Sequence, residues 1–292
     1  MFPKPNDGFA WVQVAGGHAL VCEALAAPHV FTTRSWVLGS AAEAERAAAW
    51  EAVGRSLGVD AGHLCRAHQV HGASVAVRRT GDPECDGRPR AEADIIVSDD
   101  SARALAIQTA DCVPLLVADR ATGAVAAAHA GWRGLAAGVP SVTVAALARE
   151  FGSRPADLVA VAGPSVGACC YEVGADVLDA FRRGGFADAM LQRWFFTAPQ
   201  PTDRNPSMPG LPHAPRAHHW FFDGWAATRR QLEDAGVPAP QIHIAGLCTA
   251  SHPQLLCSYR RDGKAAGRIA GVIRMKIGTG SSSTKPPRRS IR

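Results

Sequence analysis

The sequence predicts one α/β (α+β) domain, a sandwich of mixed β-sheets flanked by helices. Short apolar runs typical of strands and Ala/Glu-rich runs typical of helices follow one another without strict alternation, which argues against a doubly wound sheet. No change of composition marks a boundary before the last residues. We therefore expect a single domain over residues 1–276, followed by a disordered basic tail over residues 277–292.

The first elements follow from composition and patterning. Of the 292 residues, 47% are apolar and 20% are charged, which is ordinary for a globular domain with a sizeable core. Residues 9–33 alternate in a strand-like way around a Gly-Gly pair, and this pattern predicts a hairpin. Residues 40–58 are dominated by Ala and Glu and end at Gly58, which predicts a helix.

The middle and the end of the chain contain further strands and helices. Short apolar runs predict buried strands within 93–100, 104–119, 123–134 and 158–163. Helices are predicted over 141–151, Asp176–Arg183 and 222–235. The proline-rich residues 197–220 are predicted to form a loop, residues 241–249 a strand, and residues 268–275 a strand or a helix.

The charge pattern gives little sign of nucleic-acid binding. The formal net charge is +5. Most of this excess lies in the tail, on Lys285, Arg288, Arg289 and Arg292. The remaining body is nearly neutral, with no basic stripe interleaved with aromatic residues. We therefore expect neither a nucleic-acid partner nor, because no long apolar run occurs, a membrane span.

The cysteines match no common redox or zinc-ribbon motif. The chain has eight of them and no CxxC pair. The N-terminus lacks the pattern of a secretion signal, so we expect a cytoplasmic protein with reduced thiols. Neighbouring side chains of a strand point to opposite faces, so the adjacent Cys169 and Cys170 are expected to be buried structural residues and a poor chelating pair.

Three stretches place a reactive residue where a strand meets a glycine or proline turn. These residues are His71 in QVHG, Cys112 in TADCVP and His129 in HAGWRG. Two imidazoles and one thiolate suit tetrahedral Zn²⁺ and leave its fourth position for water or substrate, which is the arrangement of catalytic zinc sites. Zinc lowers the pKa of bound water to about 7.

Other interpretations of these residues stay open. Their wide spacing matches no local zinc-finger pattern, and isolated His and Cys residues are often buried structural ones. Cys112 could instead be the nucleophile of a thiol hydrolase with His129 as its base.

Several blocks, in order, resemble the YfiH/DUF152 family, whose members have been labelled laccase-domain or polyphenol oxidase proteins and purine nucleoside phosphorylases. The blocks are QVHG, TADCVP, GAVAAAHAGWRG, GPSVGACCYEVG, and SYRRDG followed by GR. The resemblance extends over roughly residues 30–275. It implies a compact α/β sandwich with zinc ligands His71, Cys112 and His129.

The resemblance also implies an activity. Members of this family phosphorolyse adenosine, inosine and S-methyl-5'-thioadenosine, and they deaminate adenosine. The implied partners are therefore purine nucleosides and phosphate, taken by a monomer or a weak homo-oligomer. Deamination needs hydroxide to attack C6 of adenine, and metal-bound water can supply it.

Three residues near the predicted metal site are candidates for catalysis. Arg133 could hold phosphate through charge-assisted hydrogen bonds, or it could be a surface residue. Asp111 could act as a general acid or base, although its position beside Cys112 favours orienting a ligand. Cys112 itself is both a ligand and a candidate catalytic residue.

In two regions of the sequence, more than one arginine is a candidate for contacting the substrate. Many family members carry a GGVS…NLG segment and an Asn-Arg pair after FTTR, and this chain has neither at the matching place, so Arg34 and Arg46 are the possible substitutes. In SYRRDG, Arg260 and Arg261 could bind phosphate or form an ion pair with Asp262.

Two further functions remain as alternatives. A copper oxidase is disfavoured because the chain contains no His-x-His motif and no blue-copper pattern. A zinc-stabilised binding or regulatory protein without catalytic activity would use the same three ligands.

Overall fold

The computed structural model describes residues 2–39, 42–85, 89–211 and 216–276. The predicted tail over 277–292 lies outside these residues. Within them, no helix combines the length and the apolar character needed to cross a membrane.

Fifteen strands and seven helices make up the described part of the chain. The strands are β1 (Phe9–Val14), β2 (Gly17–Cys22), β3 (His29–Thr32), β4 (Leu64–Arg66), β5 (Val75–Arg78), β6 (Ile95–Ser98), β7 (Ala104–Thr109), β8 (Val113–Asp119), β9 (Val125–Ala130), β10 (Leu158–Ala162), β11 (Glu172–Gly174), β12 (Phe195–Phe196), β13 (His219–Phe222), β14 (Ile242–Ile244) and β15 (Ile269–Arg274). The helices are α1 (Glu43–Ser56), α2 (Trp132–Ala136), α3 (Val139–Phe151), α4 (Ala175–Arg183), α5 (Asp188–Leu191), α6 (Gly224–Asp234) and α7 (Tyr259–Asp262).

Two six-stranded mixed sheets dominate the fold. Their strand orders are β1-β2-β3-β15-β7-β4 and β14-β10-β8-β9-β6-β5. Most neighbouring strands are antiparallel, but β4 with β7, β5 with β6 and β10 with β14 are parallel pairs. A small sheet, β11-β13-β12, lies apart from them. The mixed sheets confirm the predicted fold class.

The two large sheets pack face to face around a common core. Phe31 and Leu105 of the first sheet and Leu116 and Val161 of the second belong to one buried apolar cluster. Alternate side chains of the second sheet point the other way and pack against α3, α4 and α6, in a cluster that includes Phe181.

On the far side of the first sheet, Trp50 and Val53 of α1 are buried in a third cluster. The layers are therefore helix, sheet, sheet and helices, as predicted for a sandwich. Burial of each sheet on both faces explains why most of its strands are apolar throughout rather than alternating.

Most sequence predictions of elements are confirmed, with shifted ends. The hairpin over 9–33 is β1 paired with β2, the helix over 40–58 is α1, and the final segment is a strand, β15. The loop predicted over 197–220 is confirmed up to residue 218 in its described part, but residues 212–215 lie outside the described residues. Its end is wrong, because His219 and Trp220 belong to β13 and pair with β11. The strand predicted over 241–249 is only β14, since the chain leaves the sheet after Ile244.

Two expectations about cysteines are wrong. Cys65 and Cys85 form a disulfide, because β4 and the loop after β5 bring their Cα atoms to 5.4 Å, a separation that a disulfide can bridge. Cys169 and Cys170 are buried as expected. They lie in a turn rather than a strand, however, so their side chains do not point to opposite faces, and both reach Cys248.

Candidate metal centre

Strand pairing brings three distant parts of the chain to one edge of the second sheet. In the antiparallel pair β8–β9, Val113 lies opposite Ala130 and Pro114 lies opposite His129. Cys112, just before β8, is therefore beside the end of β9. The parallel pair β5–β6 starts with Val75 opposite Ile95, so the turn that precedes β5 also lies at this edge.

The three predicted ligands meet at this edge. The ligand atoms of His71, Cys112 and His129 all lie within 4.8 Å of one another. The two imidazole rings are nearly perpendicular, with centroids 4.8 Å apart and an interplanar angle of 82°. His129 is only 3% exposed, Cys112 is half-buried and His71 is exposed. The site is therefore closed on the His129 side and open on the His71 side.

A buried carboxylate, Asp94, holds two of these residues in place. It accepts hydrogen bonds from the backbone N–H groups of Val70 (3.2 Å), His71 (3.0 Å) and Gly72 (2.7 Å). The same carboxylate lies 2.8 Å from Nδ1 of His129. An ionised carboxylate can only accept, so Nδ1 of His129 carries a proton and Nε2 is the nitrogen left to bind a metal ion.

The pKa of Asp94 supports this arrangement. Burial would raise this pKa, but the hydrogen bonds from His129 and from the amides of Gly72 and Val70 outweigh burial and lower it. The sequence patterns do not single out Asp94. Its only signal is an acidic residue directly before the apolar strand β6, which by itself does not identify a partner.

At two residues of the site, the backbone adopts a conformation that residues other than glycine rarely take. His71 has φ of 62° and Asp111 has φ of 90°, both in the left-handed region. Such residues persist where surrounding hydrogen bonds fix them, and they cluster at functional sites. The amide of His71 is fixed by Asp94, and the carbonyl of Asp111 accepts a hydrogen bond from the amide of Val166 at 2.9 Å.

Gly131 leaves the space in which the ligands meet. A Cβ atom at this position would lie 2.8 Å from Sγ of Cys112 and 3.4 Å from Cδ2 of His71. Any side chain here would displace the thiol. Two imidazoles, one thiol and the room between them fit the donor set that Zn²⁺ prefers.

Cys112 and His129 perturb each other strongly. Burial raises the pKa of the Cys112 thiol, but His129 and His71 outweigh burial and lower it to about 6. Burial lowers the pKa of His129, but Cys112 and Asp94 outweigh burial and raise it to about 9. The metal-free site is thus a thiolate beside an imidazolium at neutral pH, and binding a metal ion releases the imidazolium proton.

The carboxylate of Asp111 is bound by residues other than the three ligands. Its carboxylate accepts hydrogen bonds from the Thr249 hydroxyl at 2.6 Å and from the Arg260 amide at 2.5 Å. Burial raises the pKa of this carboxyl, although these hydrogen bonds oppose the rise. Asp111 therefore ties the loop that carries Cys112 to the segments around Thr249 and Arg260.

Two arginines, Arg133 and Arg260, and the thiol of Cys112 lie within electrostatic range of Tyr171. The Arg260 guanidinium lies 5.2 Å from the ring centroid of Tyr171, and the exposed Arg133 stacks 4.1 Å from that of Trp132. Burial raises the pKa of Tyr171, with a further rise from the charge of Cys112, while Arg260 and Arg133 oppose it. These groups therefore lie within electrostatic reach of one another.

The two arginines of SYRRDG have different surroundings. Arg261 pairs with Asp262 at 2.6 Å, and its guanidinium also donates to the carbonyls of Thr249 and Leu256. Arg261 is thus a structural residue. Arg260 instead faces Tyr171, so only this member of the pair is placed to meet a substrate.

The structure places Arg34 and Arg46 in different surroundings. The Arg34 side chain donates to the carbonyl of Pro253. Arg46 lines a separate cavity of about 480 Å³ on the outer face of the first sheet. The other basic side chains of this cavity are Arg66, Arg90, Lys264 and Arg268.

Fold and site together define a two-sheet α/β sandwich with an open His/Cys centre, able to hold a metal ion, at one edge. A family model described as multi-copper polyphenol oxidoreductase laccase matches residues 40–276. A purine nucleoside phosphorylase of Streptomyces coelicolor is 37% identical over 224 residues, which cover 76% of this chain and 79% of that protein. The chain belongs to this family, the YfiH/DUF152 family.

Two further comparisons agree. A purine nucleoside phosphorylase of Bacteroides thetaiotaomicron is 37% identical over 180 residues, which are 62% of this chain and 60% of that relative's length. The crystal structure of the Bacillus licheniformis hypothetical protein YfiH superimposes with a TM-score of 0.77 and 27% identity. It covers 91% of this chain and 97% of the YfiH chain.

The low pKa of Cys112 gives a direct test of the site's electrostatics. In metal-free protein, the rate of alkylation by iodoacetamide should rise through a midpoint near pH 6, because the thiolate is the reactive form. Alkylation is followed by mass spectrometry at each cysteine. The fast reaction should vanish in Cys112→Ala and persist in Cys22→Ala, and a midpoint near pH 8.5, the ordinary value for cysteine, would contradict the ion pair.

Proposed function

We propose that this protein is a zinc-dependent purine nucleoside phosphorylase. It acts on adenosine, inosine and S-methyl-5'-thioadenosine, and it also deaminates adenosine. The observation that supports this most is the convergence of His71, Cys112 and His129, with ligand atoms within 4.8 Å of one another. The purine nucleoside phosphorylase names of the relatives supply the substrate class.

Zinc would be held by Nε2 of His129, the thiolate of Cys112 and the imidazole of His71. When bound, it supplies Lewis-acid chemistry and a source of hydroxide at neutral pH. Asp94 keeps the tautomer of His129 that ligation requires and fixes the turn that carries His71.

The open side of the site suits an anionic co-substrate. Arg133 and Arg260 are cationic, and both lie near Tyr171. We propose that Arg133, with Arg260 beside it, holds phosphate for attack at C1′ of the nucleoside. Asp111 is a positioning residue in this scheme, because its carboxylate binds the Arg260 amide and its backbone leads into Cys112.

A second candidate function is a thiol hydrolase. Cys112, His129 and Asp94 are arranged as nucleophile, base and orienting carboxylate, with 2.8 Å between His129 Nδ1 and Asp94. The low pKa of Cys112 favours this chemistry in the metal-free protein. Zinc occupancy distinguishes the two functions, because a ligated thiolate is not free to attack a substrate.

Phosphorolysis is tested with purified protein, inorganic phosphate, and adenosine or inosine. The expected products are the free base and ribose 1-phosphate, formed only when phosphate is present. Cys112→Ala should lose zinc and turnover together, whereas Cys22→Ala, which removes a buried thiol of β2, should keep both. A fully zinc-loaded protein that turns over no nucleoside would instead favour a binding or regulatory role.

Asp94→Asn tests the support of the two histidines. The amide cannot accept from His129 and three backbone N–H groups as the carboxylate does, so the affinity for Zn²⁺ should fall by about 10- to 100-fold. The affinity is measured by competition with a chromophoric chelator. Asp99→Asn, five positions along the same segment, is the matched control and should bind Zn²⁺ like the unchanged protein. Equal affinities in both variants would exclude Asp94 as a support.

Arg133→Met tests the proposed phosphate contact. Loss of a charge-assisted hydrogen bond costs about 1.5–3 kcal/mol, so KM for phosphate should rise by about 10- to 100-fold. KM for the nucleoside should change much less. The control is Arg154→Met, because Arg154 precedes β10 at the end of the second sheet opposite Cys112. If only KM for the nucleoside rises, Arg133 contacts the nucleoside rather than phosphate.

A further inference from the structure

A second group of thiols lies outside the centre described above. Cys169 and Cys170 in the turn before β11 meet Cys248, which follows β14, and the three sulfur atoms lie within 4.8 Å of one another. All three thiols are free. Their residues are at most 2% exposed. The proposed phosphorylase chemistry uses none of them.

The three thiols share hydrogen bonds that favour the thiolate at Cys248, whereas hydrogen bonding to the neighbouring thiols and burial raise the pKa values of Cys169 and Cys170. The backbone amide of Gly167 donates to Sγ of Cys248 at 3.3 Å, and that of Met208 donates to Sγ of Cys170 at 3.2 Å. Burial raises the pKa of Cys248, but hydrogen bonds from the other two thiols and from the Gly167 amide outweigh burial and lower it. Amide donors of this kind stabilise thiolates at metal–sulfur sites.

The potential metal ligands of this group are soft, and the Ser251 hydroxyl lies 3.6 Å from Sγ of both Cys169 and Cys170. The group of potential ligands contains three cysteines and no histidine or carboxylate. The side chain of Met208, a thioether, packs against the same cluster, together with the apolar Val166 and Ala250. Thiolate and thioether ligands select Cu(I), Zn²⁺ or iron–sulfur clusters. An iron–sulfur cluster is held by four cysteines, one more than this group contains. Zn²⁺ almost always takes four ligands, and this group provides three from His, Cys, Asp or Glu side chains.

We propose that Cys169, Cys170 and Cys248 form a buried binding site for Cu(I), separate from the His71/Cys112/His129 centre. Residues 206–208 lie against the site: the Pro206 carbonyl accepts a hydrogen bond from Ser251 at 2.6 Å, and the Met208 amide donates to Sγ of Cys170 at 3.2 Å. No redox step is involved, because the metal binds as Cu(I).

Occupancy of this site would also stiffen the rim of the first centre. Tyr171 follows Cys170 directly, and the amide of Val166, at the start of the same loop, donates to the carbonyl of Asp111 at 2.9 Å. A metal ion that joins Cys169 and Cys170 to Cys248 would tie this loop to the segment after β14. Cu(I) should therefore raise the melting temperature of the protein.

The test is an anaerobic titration with Cu(I) buffered by bicinchoninate, with ascorbate as reductant. Cys112→Ala removes the first centre, so this variant should bind one equivalent of Cu(I), with a first coordination shell of sulfur alone by X-ray absorption. The double variant Cys112→Ala/Cys248→Ser should lose that equivalent. The matched control is Cys112→Ala/Cys22→Ala, which removes a different buried thiol. This control should still bind one equivalent of Cu(I).

Two outcomes would overturn the proposal. One is a Cys112→Ala protein that binds no more Cu(I) than the Cys248→Ser double variant. The other is a bound ion with imidazole nitrogen in its coordination shell. Because serine keeps the size of the side chain, Cys248→Ser should remain folded, which circular dichroism checks. If the Cys112→Ala/Cys248→Ser protein is unstable, Cys112→Ala/Cys169→Ser tests the same site and should also lose the bound equivalent of Cu(I).

Discussion

The candidate metal centre depends above all on the buried carboxylate of Asp94. Burying a charge is costly unless hydrogen bonds replace its water. Asp94 meets this condition with the amides of Val70, His71 and Gly72 and the imidazole of His129. These same hydrogen bonds hold His71 in its left-handed conformation and set the tautomer of His129. The hydrogen bonds that the buried Asp94 carboxylate needs therefore also fix the positions of two of the three ligands, His71 and His129.

The sandwich explains why the centre lies at an edge. The chain leaves the first sheet at Thr109 and enters the second at Val113, so the residues between them cross from one sheet to the other. Cys112 lies on this crossing, and Asp111 braces it against Thr249 and Arg260. The paired strands form a rigid base, while the open face lies among loops. Rigid strands that present reactive residues at their ends are a common way to build an active site.

Two clusters of potential metal ligands in this chain differ in chemistry. The first mixes imidazole and thiolate, is open on one side and lies beside two arginines, which fits a metal ion that must meet a substrate. The ligands of the second cluster are three buried cysteines, which fits an ion that is stored or structural. The shared loop from Val166 to Tyr171 connects them. Membership of the YfiH/DUF152 family fits the first cluster, and the second is inferred from the geometry.

The sequence by itself determined the fold class, most strands and helices, and the three residues that meet at the centre. Local patterns encode strands and turns, and the reactive residues stood at strand ends within recognisable blocks. Only the tertiary structure decided the role of Asp94, the placement of Arg260 against Tyr171, and the meeting of Cys169 and Cys170 with Cys248. Each of these contacts joins residues far apart in the chain. Their geometry is set by strand register and by the packing of loops, which the periodicity of a sequence does not record.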